Sequence, residues 1–110
     1  VLFAQVMVET GWLQFGKDVF IHQFNFGGLG ATGGVAGASF LDVRTGIRAQ
    51  VQHLKAYASK APLKNPCVDP RFDLVSRGIA PYAEDLQGKW AESPTYASSL
   101  RRQINALLKF

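Results

Sequence analysis

The chain has 110 residues, 47% hydrophobic and 18% charged, enough for one compact domain that buries roughly two thirds of its unfolded surface. No stretch reaches the roughly 18 uninterrupted apolar residues of a membrane span, and the opening run lacks the basic flank and cleavage site of a signal peptide, so membrane insertion is not expected. A net charge of +4 favours an anionic partner, yet the basic residues are scattered rather than interleaved with aromatics, which argues against a nucleic-acid ligand.

The run Val1-Leu2-Phe3-Ala4-Gln5-Val6-Met7-Val8 reads as a helix, because Leu2, Val6 and Glu9 share one face, Phe3 and Met7 share another, and Gly11 supplies a stop. Glu9 falls in its last turn. The negative end of the helix dipole and the apolar neighbours Val8 and Trp12 would disfavour its charged form, and a protonated carboxyl is what a general acid needs. Residues 13–23 show no clean period and read as a loop with one short helical turn. Six of the eleven glycines lie at residues 25–37, a composition no regular helix tolerates; this stretch is expected to be extended or turning. Gly28-x-Gly30-x-x-Gly33 matches a dinucleotide fingerprint on paper, but no strand leads in and no helix opens at Gly33, so nucleotide binding is not expected.

Residues 42–59 form the clearest helix, with Val43, Ile47, Val51, Leu54 and Ala58 on one stripe and Asp42 or Ser39 as its cap. His53 flanks that stripe and is expected to be a packed or solvent-edge residue. Residues 61–70 hold three prolines and form a rigid connector; Asp69-Pro70 opens a short helix that Gly78 closes. Ser93-Pro94 starts the last helix, running to about Leu108 with Tyr96, Leu100, Ile104 and Leu107 on one face. The lone Cys67 precludes an internal disulfide, and with only His22 and His53 beside it neither a metal site nor a cofactor is expected. The fold class is mainly α: a helical body with a small glycine-rich lobe.

Several of these segments recur together in one family. Ala4-Gln5 then Glu9-Thr10-Gly11-Trp12, Phe15-Gly16-x-Asp18-Val19, Asn25-Phe26-Gly27-Gly28-Leu29-Gly30-Ala31, Ser39-Phe40, Gly46-Ile47-Arg48-Ala49-Gln50 with His53-Leu54-x-x-Tyr57, and Trp90-Ala91-x-x-Pro94-x-Tyr96-Ala97-x-x-Leu100 resemble, in order and spacing, the bacterial endo-β-N-acetylglucosaminidase domain of autolysins and flagellar muramidases, glycoside hydrolase family 73. The resemblance spans nearly the whole chain. It implies an α+β, lysozyme-like fold with a glycan groove and a secreted or cell-wall location. It also implies cleavage of the β-1,4 bond after N-acetylglucosamine in peptidoglycan strands, with Glu9 as the catalytic acid.

The glycine-rich segment around Gly28 would then form one groove wall. Phe26, Tyr82, Trp90 and Tyr96, with Phe24, are candidate flat faces for pyranose rings, Trp90 and Tyr96 foremost. A two-carboxylate glycosidase needs a second acid roughly 5 to 9 Å across the sugar, and the glutamates Glu9, Glu84 and Glu92 all lie outside the lobe where the family often places it. Asp42 is the nearest acid in sequence, although helix capping explains it better, and Asp18 is a weaker candidate. Assistance by the substrate's acetamido group, and a non-catalytic cell-wall glycan-binding module, stay open. Val1 already lies inside the first helix and the family's preceding helix is absent, so a missing segment or another chain is expected to cover that face.

Overall fold

The computed structural model describes residues 1–15, 20–31 and 37–109. Among the described residues, three α-helices, α1 (Leu2–Thr10), α2 (Val43–Ala58) and α3 (Tyr96–Leu107), carry the fold, with 3-10 turns at Ile21–Gln23, Phe72–Leu74 and Ala83–Leu86. Among the described residues the only β pairing is an isolated bridge between Gln87 and Ala91. The protein is therefore mainly α. No helix among the described residues is long and apolar enough to cross a membrane.

α1 stops where the sequence predicts. Gly11 takes the left-handed conformation at φ 59° and closes the helix onto the Met7 carbonyl, a conformation glycine adopts without a Cβ penalty. The chain stays left-handed through Trp12 (φ 59°) and Leu13 (φ 66°), which for non-glycine residues costs of order 1–2 kcal/mol each. Thr10 holds this turn: its hydroxyl donates to the Val6 carbonyl at 2.6 Å and accepts the Leu13 amide at 2.8 Å. Directly after Glu9, then, the chain reverses on a turn fixed at both ends.

α2 begins on Asp42, whose carboxylate accepts the Thr45 amide at 2.8 Å, the capping expected from the sequence. α3 begins later than Ser93-Pro94 suggests. The Ser93 hydroxyl pairs with Thr95 and the Tyr96 amide bonds back to the Ser93 carbonyl, so a turn precedes the first helical residue. The core joins Ala4 of α1, Ala80, Leu86, and Tyr96 and Leu100 of α3, with Val8, Leu54, Trp90 and Ile104 packed around it. A buried polar chain crosses the three helices: Gln50 of α2 donates to Gln5 of α1 at 3.1 Å, and Gln5 donates to the Tyr96 hydroxyl of α3 at 3.0 Å. Buried groups of this kind are costly unless bonded, so the chain fixes the helices' relative register as well as filling space.

The glycine-rich lobe is organised by Asn25, which is 1% exposed. Its side-chain amide donates to the carbonyls of Leu29 and Ala38, both at 2.9 Å, and its oxygen accepts the Leu29 amide. Gln23 adds a bond to the Gly37 carbonyl. The lobe reaches the body where glycine is required: a Cβ at Gly46 of α2 would overlap the Phe24 carbonyl, and one at Gly27 would press on Gln50. Gly33, and Asp18 in the first loop, lie outside the described residues.

Candidate active site

Glu9, half-buried in the last turn of α1, lines a cleft of about 450 Å³. One wall is the lobe, Gly28 to Ala31; the other carries Trp90 to Glu92, and His53, Tyr57 and Arg71 contribute from α2 and the connector. The lobe comes close to Glu9 because Gly28 lacks a side chain. A Cβ there would sit 2.7 Å from Glu9 Oε2, and φ at Gly28 is +68°. The positive φ favours glycine, and an added Cβ would force the Glu9 carboxylate to move.

Trp90 spans the two walls. Its indole N–H donates to the Gly27 carbonyl at 3.0 Å, tying the 86–91 turn to the lobe, while its ring meets His53 edge-on at 4.8 Å. It is half-buried and lines the cleft, so one aromatic doubles as strut and wall.

The sequence-predicted residues fall into two groups. Glu9, Gly28 and Trp90 are brought together in the cleft. Tyr96 is not a cleft aromatic: it is 2% exposed and packs in the core behind Glu9. Its pKa is pushed well above the usual tyrosine value, first by burial and then by the negative charge of Glu9, against the opposing hydrogen bond from Gln5. The phenol thus stays neutral and belongs to the core. Phe26 is half-buried and packs edge-to-face on Phe15, ring centres 6.2 Å apart, and Phe24 is half-buried in a left-handed turn. Tyr82 is 70% exposed, away from the cleft lining. Asp42 is likewise not among the lining residues; Thr45 at the start of α2 holds its carboxyl below the usual aspartate range, through the backbone amide first and the side chain second.

Glu92 and His53 are among the lining residues that sequence reasoning did not single out for the cleft. Glu92 is an exposed carboxylate on the rim. His53 is a buried imidazole whose Nδ1 lies 2.6 Å from Asp69 Oδ2, with the Asp69 side chain fully buried. Asp69 was expected only to cap the turn after the connector. One oxygen does accept the Arg71 amide at 2.9 Å, and the other is turned to His53. Gln52, one residue before His53, holds the connector in place by accepting the Val68 and Asp69 amides and donating to the Pro66 carbonyl. Among the described residues, no group of three or more His, Cys, Asp or Glu is placed to hold a metal ion.

No protein-family model matches the chain, and no solved structure matches it. It is similar, at 46% identity over 111 aligned positions, to an uncharacterized protein of Borreliella burgdorferi; the alignment covers all of this chain and 54% of that protein, so the chain spans about half the length of the curated relative it matches.

Proposed function

We propose that this chain is a peptidoglycan hydrolase of the lysozyme-like type, an endo-β-N-acetylglucosaminidase acting on cell-wall glycan strands with Glu9 as the proton donor. The observation that carries this reading is the seating of the Glu9 carboxylate in the wall of an open cleft, so close to the lobe backbone that a Cβ at Gly28 would displace it. Hydrolysis of a β-1,4 bond requires a proton on the departing O4 as the C1–O4 bond breaks. A carboxyl at a helix end in the cleft wall is suited to deliver it to a sugar lying across the cleft. Trp90 and the lobe residues Gly28 to Ala31 that line the cleft offer flat and polar surfaces of the kind pyranose rings use. Asp42 gains no support as the second acid, since its carboxylate is spent on the Thr45 cap outside the cleft lining.

The test is digestion of purified peptidoglycan followed by borohydride reduction and mass analysis of the new ends. The reading requires reduced N-acetylglucosamine ends. Wall binding without release of fragments would instead favour a non-catalytic glycan-binding module.

A further inference from the structure

We propose that His53, aligned by Asp69, is the second catalytic group of the cleft: the base that activates the hydrolytic water. This rests on the glycosidase reading of the same site and supplies the partner that reading lacks. Among the described residues, the carboxyl and imidazole groups lining the cleft are Glu9, Glu92 and His53. Catalytic groups must be held in position before substrate arrives, and His53 is held by Asp69, Tyr57 and Trp90. Asp69, with no exposed side-chain surface, engages Nδ1 at 2.6 Å. The rings of Tyr57 and Trp90 stand edge-on to the imidazole at 5.4 and 4.8 Å, fixing its plane. Asp69 is itself pinned by the Arg71 amide and by Gln52. Glu92, by contrast, is exposed on the rim.

A carboxylate accepting from Nδ1 keeps the proton on that nitrogen and leaves the lone pair on Nε2. In the step proposed, water attacks C1 of the N-acetylglucosamine from the face opposite the leaving group, and its proton passes to Nε2. The C1–O4 bond breaks, its electron pair stays on O4, and O4 takes the proton of Glu9. The charge gained by the imidazole is offset by Asp69. One displacement inverts the anomeric centre, so the first-formed new reducing end is the α anomer.

The experiment follows hydrolysis of a soluble peptidoglycan glycan by proton NMR at early times, for wild type, His53→Ala, Asp69→Asn and Glu92→Gln, with and without sodium azide. Wild type is expected to release the α anomer first. His53→Ala is expected to lose about 100-fold or more in kcat, and azide, a small nucleophile that needs no deprotonation, is expected to restore turnover and leave an α-glycosyl azide. Asp69→Asn, a change at a positioning residue, is expected to lower kcat with KM little changed, and Glu92→Gln to gain no turnover from azide. A β anomer formed first by active wild type overturns the proposal while leaving Glu9 in its role, and this readout needs no variant to fold. Azide rescue of Glu92→Gln instead of His53→Ala also overturns it. A wild type that releases no reducing ends overturns this proposal together with the glycosidase reading.

Discussion

Gly28→Ala tests the geometry of the site through one added methyl group. The new Cβ would lie 2.7 Å from Glu9 Oε2 and 3.2 Å from its Cδ, and the residue would have to keep φ near +68°. The backbone term is of order 1–2 kcal/mol for a left-handed non-glycine residue. The contact term cannot be met without moving the carboxylate or the lobe by several tenths of an ångström, and a displacement approaching 1 Å at a reacting group costs about 100-fold in rate. Gly88→Ala separates the two: it shares the positive φ, at +78°, with nothing within 4 Å of the added Cβ. Both variants should therefore share the backbone loss, of the order of 4–8 °C in melting temperature per kcal/mol, with Gly28→Ala losing at least as much as Gly88→Ala, followed by circular dichroism. Only Gly28→Ala should lose activity on purified walls, by about 10 to 100-fold. Equal activity of the two variants, at matched folded fraction, would refute the claim that the lobe is set against Glu9 by the absence of a side chain.

Tyr96→Phe removes the acceptor of the buried Gln5 amide and should cost about 1–3 kcal/mol in urea unfolding; a loss under about 0.3 kcal/mol would deny the polar chain through Gln50, Gln5 and Tyr96 a structural role. Trp90→Phe keeps a ring but breaks the 3.0 Å bond to the Gly27 carbonyl, so KM for glycan should rise more than kcat falls, and an unchanged KM would count against Trp90 as a cleft wall. Asp42→Ala should leave hydrolysis unchanged and weaken the fold through the lost cap. Because the folded-state pKa of Asp42 is lowered, that contribution is present above the unfolded aspartate value of about 3.9 and disappears as pH falls through the lowered one. The melting-temperature gap to wild type should therefore close in strong acid, and a gap that widens there would contradict the cap.

The helices were legible because their signals are local. The 3.6-residue stripe of α2 and its Asp42 cap lie within a few residues of each other, and Gly11 marks the end of α1 by a conformation few other residues adopt. The start of α3 was misplaced because Ser93-Pro94 carries the composition of a helix start, while the Ser93 hydroxyl is spent on a turn at Thr95. At the site, Glu9 stood out as an acid ending an apolar run, and Trp90 through the resemblance of its segment. The burial of Tyr96 was masked by its place in a motif read as groove-lining, although its position on the apolar face of α3 pointed to the core. The His53–Asp69 pair was out of reach because it closes across the proline connector, a separation that no periodicity encodes. Asp69 beside Pro70 looked like a cap, and one of its oxygens is one; the second oxygen carries the long-range contact. The available signal was Gln52-His53 facing an Asp-Pro at the end of a rigid connector, a pattern that suggests a tie without naming its partner.

The central claim, that Glu9 donates the proton in glycan cleavage, is tested most directly by comparing kcat of wild type and Glu9→Gln on purified peptidoglycan, with wall binding measured on the same preparations. The account predicts that Glu9→Gln binds walls as wild type does, keeps its melting temperature within a few degrees, and loses about 100-fold or more in release of reducing N-acetylglucosamine ends. Equal rates for the two proteins would contradict it.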